Sequence, residues 1–194
     1  MQPCSFHRYH GHRTPHFFVE KHQLEARTKC IEAVAQGAPG TRLAILLDWS
    51  EKLSLEPQNS VTAGNYPKIG VLVMVCVYRG KEGVRCETHV GFCEKPTNDV
   101  PHTHAVLQQV VTAFDLRSKE LQTNLSFVDL WSDGGQTHFK CAEGFVFLSH
   151  FVRFVRQLGD PAATVTWNFM QSSHGIETLT HAHAQTHTHM RAHT

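Results

Sequence analysis

The sequence predicts a single mixed α/β domain in which a three-strand antiparallel meander is followed by α/β units. Three observations carry this expectation. With 194 residues, 41% of them hydrophobic and 18% charged, the chain can bury one core of ordinary size but not two. Three apolar, strand-like runs, beginning at Leu43, Ile69 and Val84, pass with no helical stretch between them. After Pro101 helical and strand-like periods alternate, the pattern that lays helices on the faces of a mixed sheet.

The elements follow in order. Residues 1–15 (MQPCSFHRYHGHRTP) are polar, histidine-rich and without period, and are expected to form a flexible arm ahead of a domain over residues 16–175. From Phe17 to Gln36, Phe18, Leu24, Ile31 and Val34 are interspersed with Glu20, Lys21, Glu25 and Lys29, which predicts an amphipathic helix ending at Gly37, Pro39 and Gly40. Leu43 to Leu47 is an unbroken apolar run stopped by Asp48, as in a central strand covered on both faces. The valine-rich run from Ile69 to Tyr78 turns at Arg79-Gly80-Lys81-Glu82-Gly83. In the run that follows, to Phe92, Val84, Cys86, Thr88 and Val90 alternate with Arg85, Glu87 and His89, which predicts a hairpin.

The character then changes. Val106, Val110, Phe114, Arg117 and Leu121 recur at spacings of three and four, which predicts a helix from Pro101. Leu125 to Trp131 is a strand delivered into the turn Ser132-Asp133-Gly134-Gly135. A helix over Gln136 to Leu158, with Phe145, Leu148, Val152 and Val155 on one face, precedes a strand in which Val165, Trp167 and Phe169 alternate with Thr164, Thr166 and Asn168.

Charge and composition exclude several functions. Eighteen basic residues against 17 acidic ones leave a net charge of +1, so no global basic field marks a nucleic-acid partner and any DNA contact must be local. The longest apolar run, Val71 to Tyr78, falls far short of the roughly 18–20 residues that span a bilayer, and neither a membrane span nor a signal peptide is expected. The six cysteines form no CxxC pair and several sit in apolar segments, which favours buried free thiols in a reducing compartment.

The chemistry concentrates on two carboxylates. Asp48 closes the first strand and Asp133 the fourth. If those strands are neighbours, both aspartates project from the edge of the sheet where open α/β sheets place ligands. Two carboxylates a few Å apart cannot both stay ionised cheaply unless a cation joins them, and hard oxygen donors select Mg²⁺ or Mn²⁺. Such a site is suited to phosphoryl transfer. Taken singly, an aspartate after a strand is more often a turn former or a helix cap.

Three segments carry a family resemblance. Asp48-Trp49-Ser50-Glu51 resembles the D-[FW]-S-E segment of a group of uncharacterised eukaryotic ribonuclease-H-like proteins related to DDE-type transposases. Ser132-Asp133-Gly134, with Gln136, Phe139 and Lys140, is similar to their S-D-G-x-x-x-Q-[FY]-K segment, and Trp167-Asn168-Phe169 with Ser173-His174-Gly175 to W-x-F-x-x-x-x-H-G-K-G. The resemblance covers residues 17 to 175. It implies a ribonuclease-H-like fold, a nuclear location and metal-dependent cleavage and transfer of DNA strands. It further implies Asp48 and Asp133 as catalytic and metal-binding acids, Glu51 as an accessory metal ligand, and Lys140 and His174 as contacts to DNA phosphate.

After Gly175 the resemblance stops. The family's lysine and third aspartate are replaced by Ile176-Glu177-Thr178-Leu179 and then THAHAQTHTHMRAHT, so the fold is expected to be incomplete at the C-terminus, with one sheet face bared by the missing last helix. Residues 176–194 are expected to be a disordered tail in which His181, His183, His187, His189 and His193 chelate soft metals only adventitiously, as do Cys4, His7, His10 and His12. Weak or absent catalysis is the corollary, the alternative function being a non-catalytic binding or interaction remnant of a transposable element.

Overall fold

The computed structural model describes residues 5–50, 53–54, 68–93, 100–133, 139 and 141–170. The elements are α1 (Ser5–Gln36), β1 (Arg42–Trp49), β2 (Leu53–Ser54), β3 (Lys68–Gly80), β4 (Gly83–Cys93), α2 (Val100–Glu120), β5 (Phe127–Asp133), α3 (Ala142–Leu158) and β6 (Thr164–Met170). The main sheet runs β4-β3-β1-β5-β6. β3 is antiparallel to both β1 and β4, whereas β5 is parallel to both β1 and β6. That order and those directions are the ribonuclease-H-like arrangement, a meander completed by α/β units.

The unbroken apolar run of β1 has its reason in this topology. Leu43, Ile45 and Leu47 face α2 and α3, packing with Leu107, Val111, Phe114, Phe147, Phe151 and Val155. Ala44 and Leu46 point the other way, where Cys30 and Val34 of α1 meet them together with Val77, Trp131 and Met170. A strand buried on both sides has no polar face to alternate with. The face expected to be bared is therefore covered over its central strands, where α1 lies across it, while Val90 and Phe92 of β4 stay exposed there.

α1 also starts earlier than expected. The arm predicted over residues 1–15 is helical from Ser5. Extending a helix already nucleated and packed costs far less than starting one, so a segment without an apolar stripe can continue it. The stripe that meets the sheet is Gln23, Arg27, Cys30 and Val34, while Leu24 faces solvent. On α3 the inward face is Gly144, Phe147, Phe151 and Val155, and Phe145 is exposed. Both stripes lie about one residue from the predicted ones, since apolar side chains on neighbouring faces of these helices leave the period ambiguous. β2, which pairs with β3 through Leu53↔Ile69, is too short to leave a periodic signal.

β4 faces opposite to its hydrophobic alternation. Glu87 turns toward α2, where Arg117 donates to both of its carboxylate oxygens at 2.8 and 2.7 Å and the Tyr78 hydroxyl donates at 2.5 Å. This charged network claims the α2 side, leaving Val90 and Phe92 exposed on the other. Of the cysteines, Cys30, Cys76, Cys86, Cys93 and Cys141 are free; Cys76 and Cys93 are buried and Cys86 is exposed.

One glycine fixes the entry to β1. Gly40 sits at φ +76°, where a Cβ would come within 2.6 Å of Thr123 Oγ1 and 3.2 Å of Ser118 Cα. Its carbonyl accepts from the Ser118 hydroxyl at 2.7 Å and its N–H donates to the Arg79 carbonyl at 2.9 Å. Gly40→Ala is expected to lower stability by about 1–3 kcal/mol, read as a lower urea midpoint at unchanged slope.

Candidate metal centre

β1 and β5 pair from Arg42↔Phe127 to Leu47↔Ser132, and one further step of that register sets Asp48 against Asp133. Register partners in parallel strands project on one side of the sheet, here the α1 side shared with Leu46 and Trp131. Asp48 is the penultimate residue of β1, one position further inside the strand than the apolar run indicated, and Asp133 is the last of β5. Val73 of β3 flanks Asp48 and Met170 of β6 flanks Asp133, so the acids form the centre of a four-strand row.

The Asp48 carboxyl senses Asp133. Burial, and after it the negative charge of Asp133, hold the Asp48 carboxyl above its ordinary pKa, while the Trp49 backbone N–H pulls it down. A carboxyl whose folded pKa is raised stabilises the fold below its unfolded pKa, and that stability is lost as pH rises through the folded value. At neutral pH the ionised Asp48 carboxylate therefore opposes folding. Without added metal, Asp48→Asn is expected to raise Tm at pH 7 by about 2–4 °C, a modest gain because Asp48 is half-exposed and screened. The gain should vanish near pH 3; differential scanning calorimetry at both pH values checks it.

A second aspartate on β5 supplies the contrast. Asp129 lies on the same side of the sheet as Asp133, and there Arg42 Nε sits 3.1 Å from its Oδ2 while Thr166 donates to Oδ1 at 2.6 Å. Among the described residues no lysine, arginine or histidine forms an ion pair with Asp48 or Asp133. Asp133 Oδ1 is buried without a hydrogen-bond partner. A buried carboxylate oxygen with no donor, beside a second carboxyl that its charge disfavours, is a donor set that fits a hard divalent cation.

Ser132 and Trp167, which the sequence placed in a turn, a strand and the resembling motifs but gave no role at the site, hold the end of β5 in place. Trp167 Nε1 donates to the fully buried Ser132 hydroxyl at 2.9 Å, and Ser132 donates to the Asp133 carbonyl at 3.2 Å. Trp167 is edge-on to Phe139 and Phe147. The signal that could have found this role was the order of the motifs, since the segments bearing Ser132 and Trp167 lie on adjacent strands. Among the described residues no third histidine, cysteine, aspartate or glutamate joins the acids. Glu51, Lys140 and His174, and with them the tail from residue 171, lie outside the described residues.

No protein-family model matches the chain, and no curated protein matches it. Among solved structures it is similar to the crystal structure of RNase H1 from the halophilic archaeon Halobacterium salinarum, at 12% identity, over 68% of this chain and 86% of that one, with a TM-score of 0.31. The fold assignment stands on the strand order and directions described above. No helix among the described residues is long and apolar enough to cross a membrane.

Proposed function

We propose that the edge of the sheet formed by the ends of β1 and β5 binds Mg²⁺ or Mn²⁺ between Asp48 and Asp133 and acts on nucleic-acid phosphodiesters, DNA by the family resemblance. One observation carries this reading: two aspartates at matching positions on adjacent parallel strands, electrostatically coupled, with a buried oxygen of Asp133 left without a partner. A bound cation would supply Lewis acidity toward a phosphoryl oxygen and acidify a water or a 3′-hydroxyl. The chain's own part is positional. β1 and β5 fix the two carboxyls at one level, Ser132 and Trp167 hold the strand end, and Val73 and Met170 flank the acids in the neighbouring strands. Lys140 and His174 are the proposed contacts to phosphate, and Glu51 the proposed accessory ligand.

A second reading, cation and nucleic-acid binding without cleavage, is favoured by the sequence after Gly175, where the family's third aspartate is replaced. One assay separates the two. Purified protein is incubated with single-stranded DNA, duplex DNA and an RNA–DNA hybrid in Mg²⁺ or Mn²⁺, with and without chelator. Weak, chelator-sensitive cutting is the expected result; binding without cutting supports the second reading, and neither binding nor cutting sinks both.

A further inference from the structure

β4 is an outer strand. Among the described residues it pairs with β3 alone, and no described strand meets the backbone N–H and C=O groups of its other edge. Over eleven residues it carries neither proline nor lysine, and its inward-pointing charge, Glu87, of the kind that can blunt an edge, is already neutralised by Arg117. On the α1 side its side chains are Val84, Cys86, Thr88, Val90 and Phe92, all uncharged, with Val90 49% and Phe92 60% exposed. Its charged and imidazole side chains, Arg85, Glu87 and His89, lie on the α2 side.

We infer that this edge is a self-association surface on which two copies of the chain pair β4 with β4, antiparallel, about a two-fold axis through Thr88. Directly opposite residues of an antiparallel pair share a face, so only registers that keep each face with itself extend the sheet. The register centred on Thr88 is the one that overlaps all eleven residues. It sets Glu87 opposite the partner's His89, and by symmetry His89 opposite the partner's Glu87. On the other face it sets Val84 against the partner's Phe92 and Cys86 against the partner's Val90. Centring on Glu87 instead would oppose two glutamates and set Arg85 against the partner's His89. Strand length selects this register over one centred on Cys86, which would pair Arg85 with the partner's Glu87 but overlap only residues 83–89, and charge excludes the one centred on Glu87; the result has the self-complementarity that a two-fold interface requires. This surface is remote in sequence from the paired aspartates, and its existence does not depend on their chemistry.

Sedimentation velocity of the full chain at tens of micromolar tests it, and a dimer is expected. Thr88→Lys, at an exposed position, sets two ammonium groups opposite each other on the axis and should weaken dimerisation roughly tenfold or more, with an unchanged far-ultraviolet circular dichroism spectrum. Val90→Cys gives a second readout. Diamide should join position 90 of one copy to Cys86 of the other, a dimer on non-reducing gels that disappears in Val90→Cys combined with Cys86→Ser. Two native Cys86 thiols would stand four residues apart along the paired strands, roughly 13 Å, too far to join. A monomer at these concentrations overturns the inference. So does a dimer indifferent to Thr88→Lys, or a cross-link that survives loss of Cys86.

Discussion

Asp133→Asn is expected to reduce the weak divalent-cation-dependent strand cleavage by up to about a thousandfold, to the level of the chelated control. The amide keeps the size of the side chain and its position at the end of β5, but removes the negative charge that a divalent cation needs and presents N–H donors toward it. Loss of a ligand that holds a catalytic cation forfeits several kcal/mol of charge stabilisation in the transition state, which converts to that factor. Asp48→Asn should match it, and the double variant should be no worse than either alone, since both acids act through one ion. Initial rates on a labelled DNA strand, compared across the three variants, check this. Cleavage that persists in all three arises elsewhere.

Phe151→Ala is expected to destabilise the domain by about 3–5 kcal/mol, a large fraction of the stability of an ordinary domain. Phe151 is fully buried on the inner face of α3, stacked on Phe154 and 5.3 Å from Phe147, in the layer where α2 and α3 meet the sheet. Phe147 and Phe151 carry no polar atom and the Trp167 indole N–H is already given to Ser132, so truncation leaves a dry void. Chemical denaturation should show the loss, accompanied by a large drop in the near-ultraviolet dichroism of the cluster. A loss below about 1 kcal/mol would mean that α3 does not pack as described.

What the sequence made legible was the frame. The run Leu43–Leu47 announced a strand covered on both sides because every residue in it is apolar, and α1 on one face with α2 and α3 on the other is the physical cause. That Asp48 and Asp133 fall on one side of adjacent parallel strands was anticipated from the same frame, although Asp48 lies one residue inside the end of β1 rather than at it. Orientation was harder to read. β4 carries apolar residues on one face and charges on the other, and the charged face turned inward because Arg117, from a helix distant in sequence, neutralises Glu87 there. No local pattern in β4 encodes that partner. Leu24 and Phe145 failed as inward markers for a related reason: single apolar residues are common on surfaces, and the helix face is set by what lies opposite it. The role of α1 as the cover for the second face could not be read from its own period either, because its contact stripe includes Gln23 and Arg27, polar side chains whose tips reach the Phe169 carbonyl and the Met170 sulfur.

The most direct test of the paired carboxylates is a cation titration. Electron paramagnetic resonance of Mn²⁺ with the full chain, competed by Mg²⁺, should reveal at least one Mg²⁺-displaceable site in the native protein that is lost in both Asp48→Asn and Asp133→Asn. Histidine-bound Mn²⁺, should any occur, would remain in the two variants and so be told apart. Binding unchanged by either substitution, or no Mg²⁺-displaceable binding in the native protein, would contradict the account.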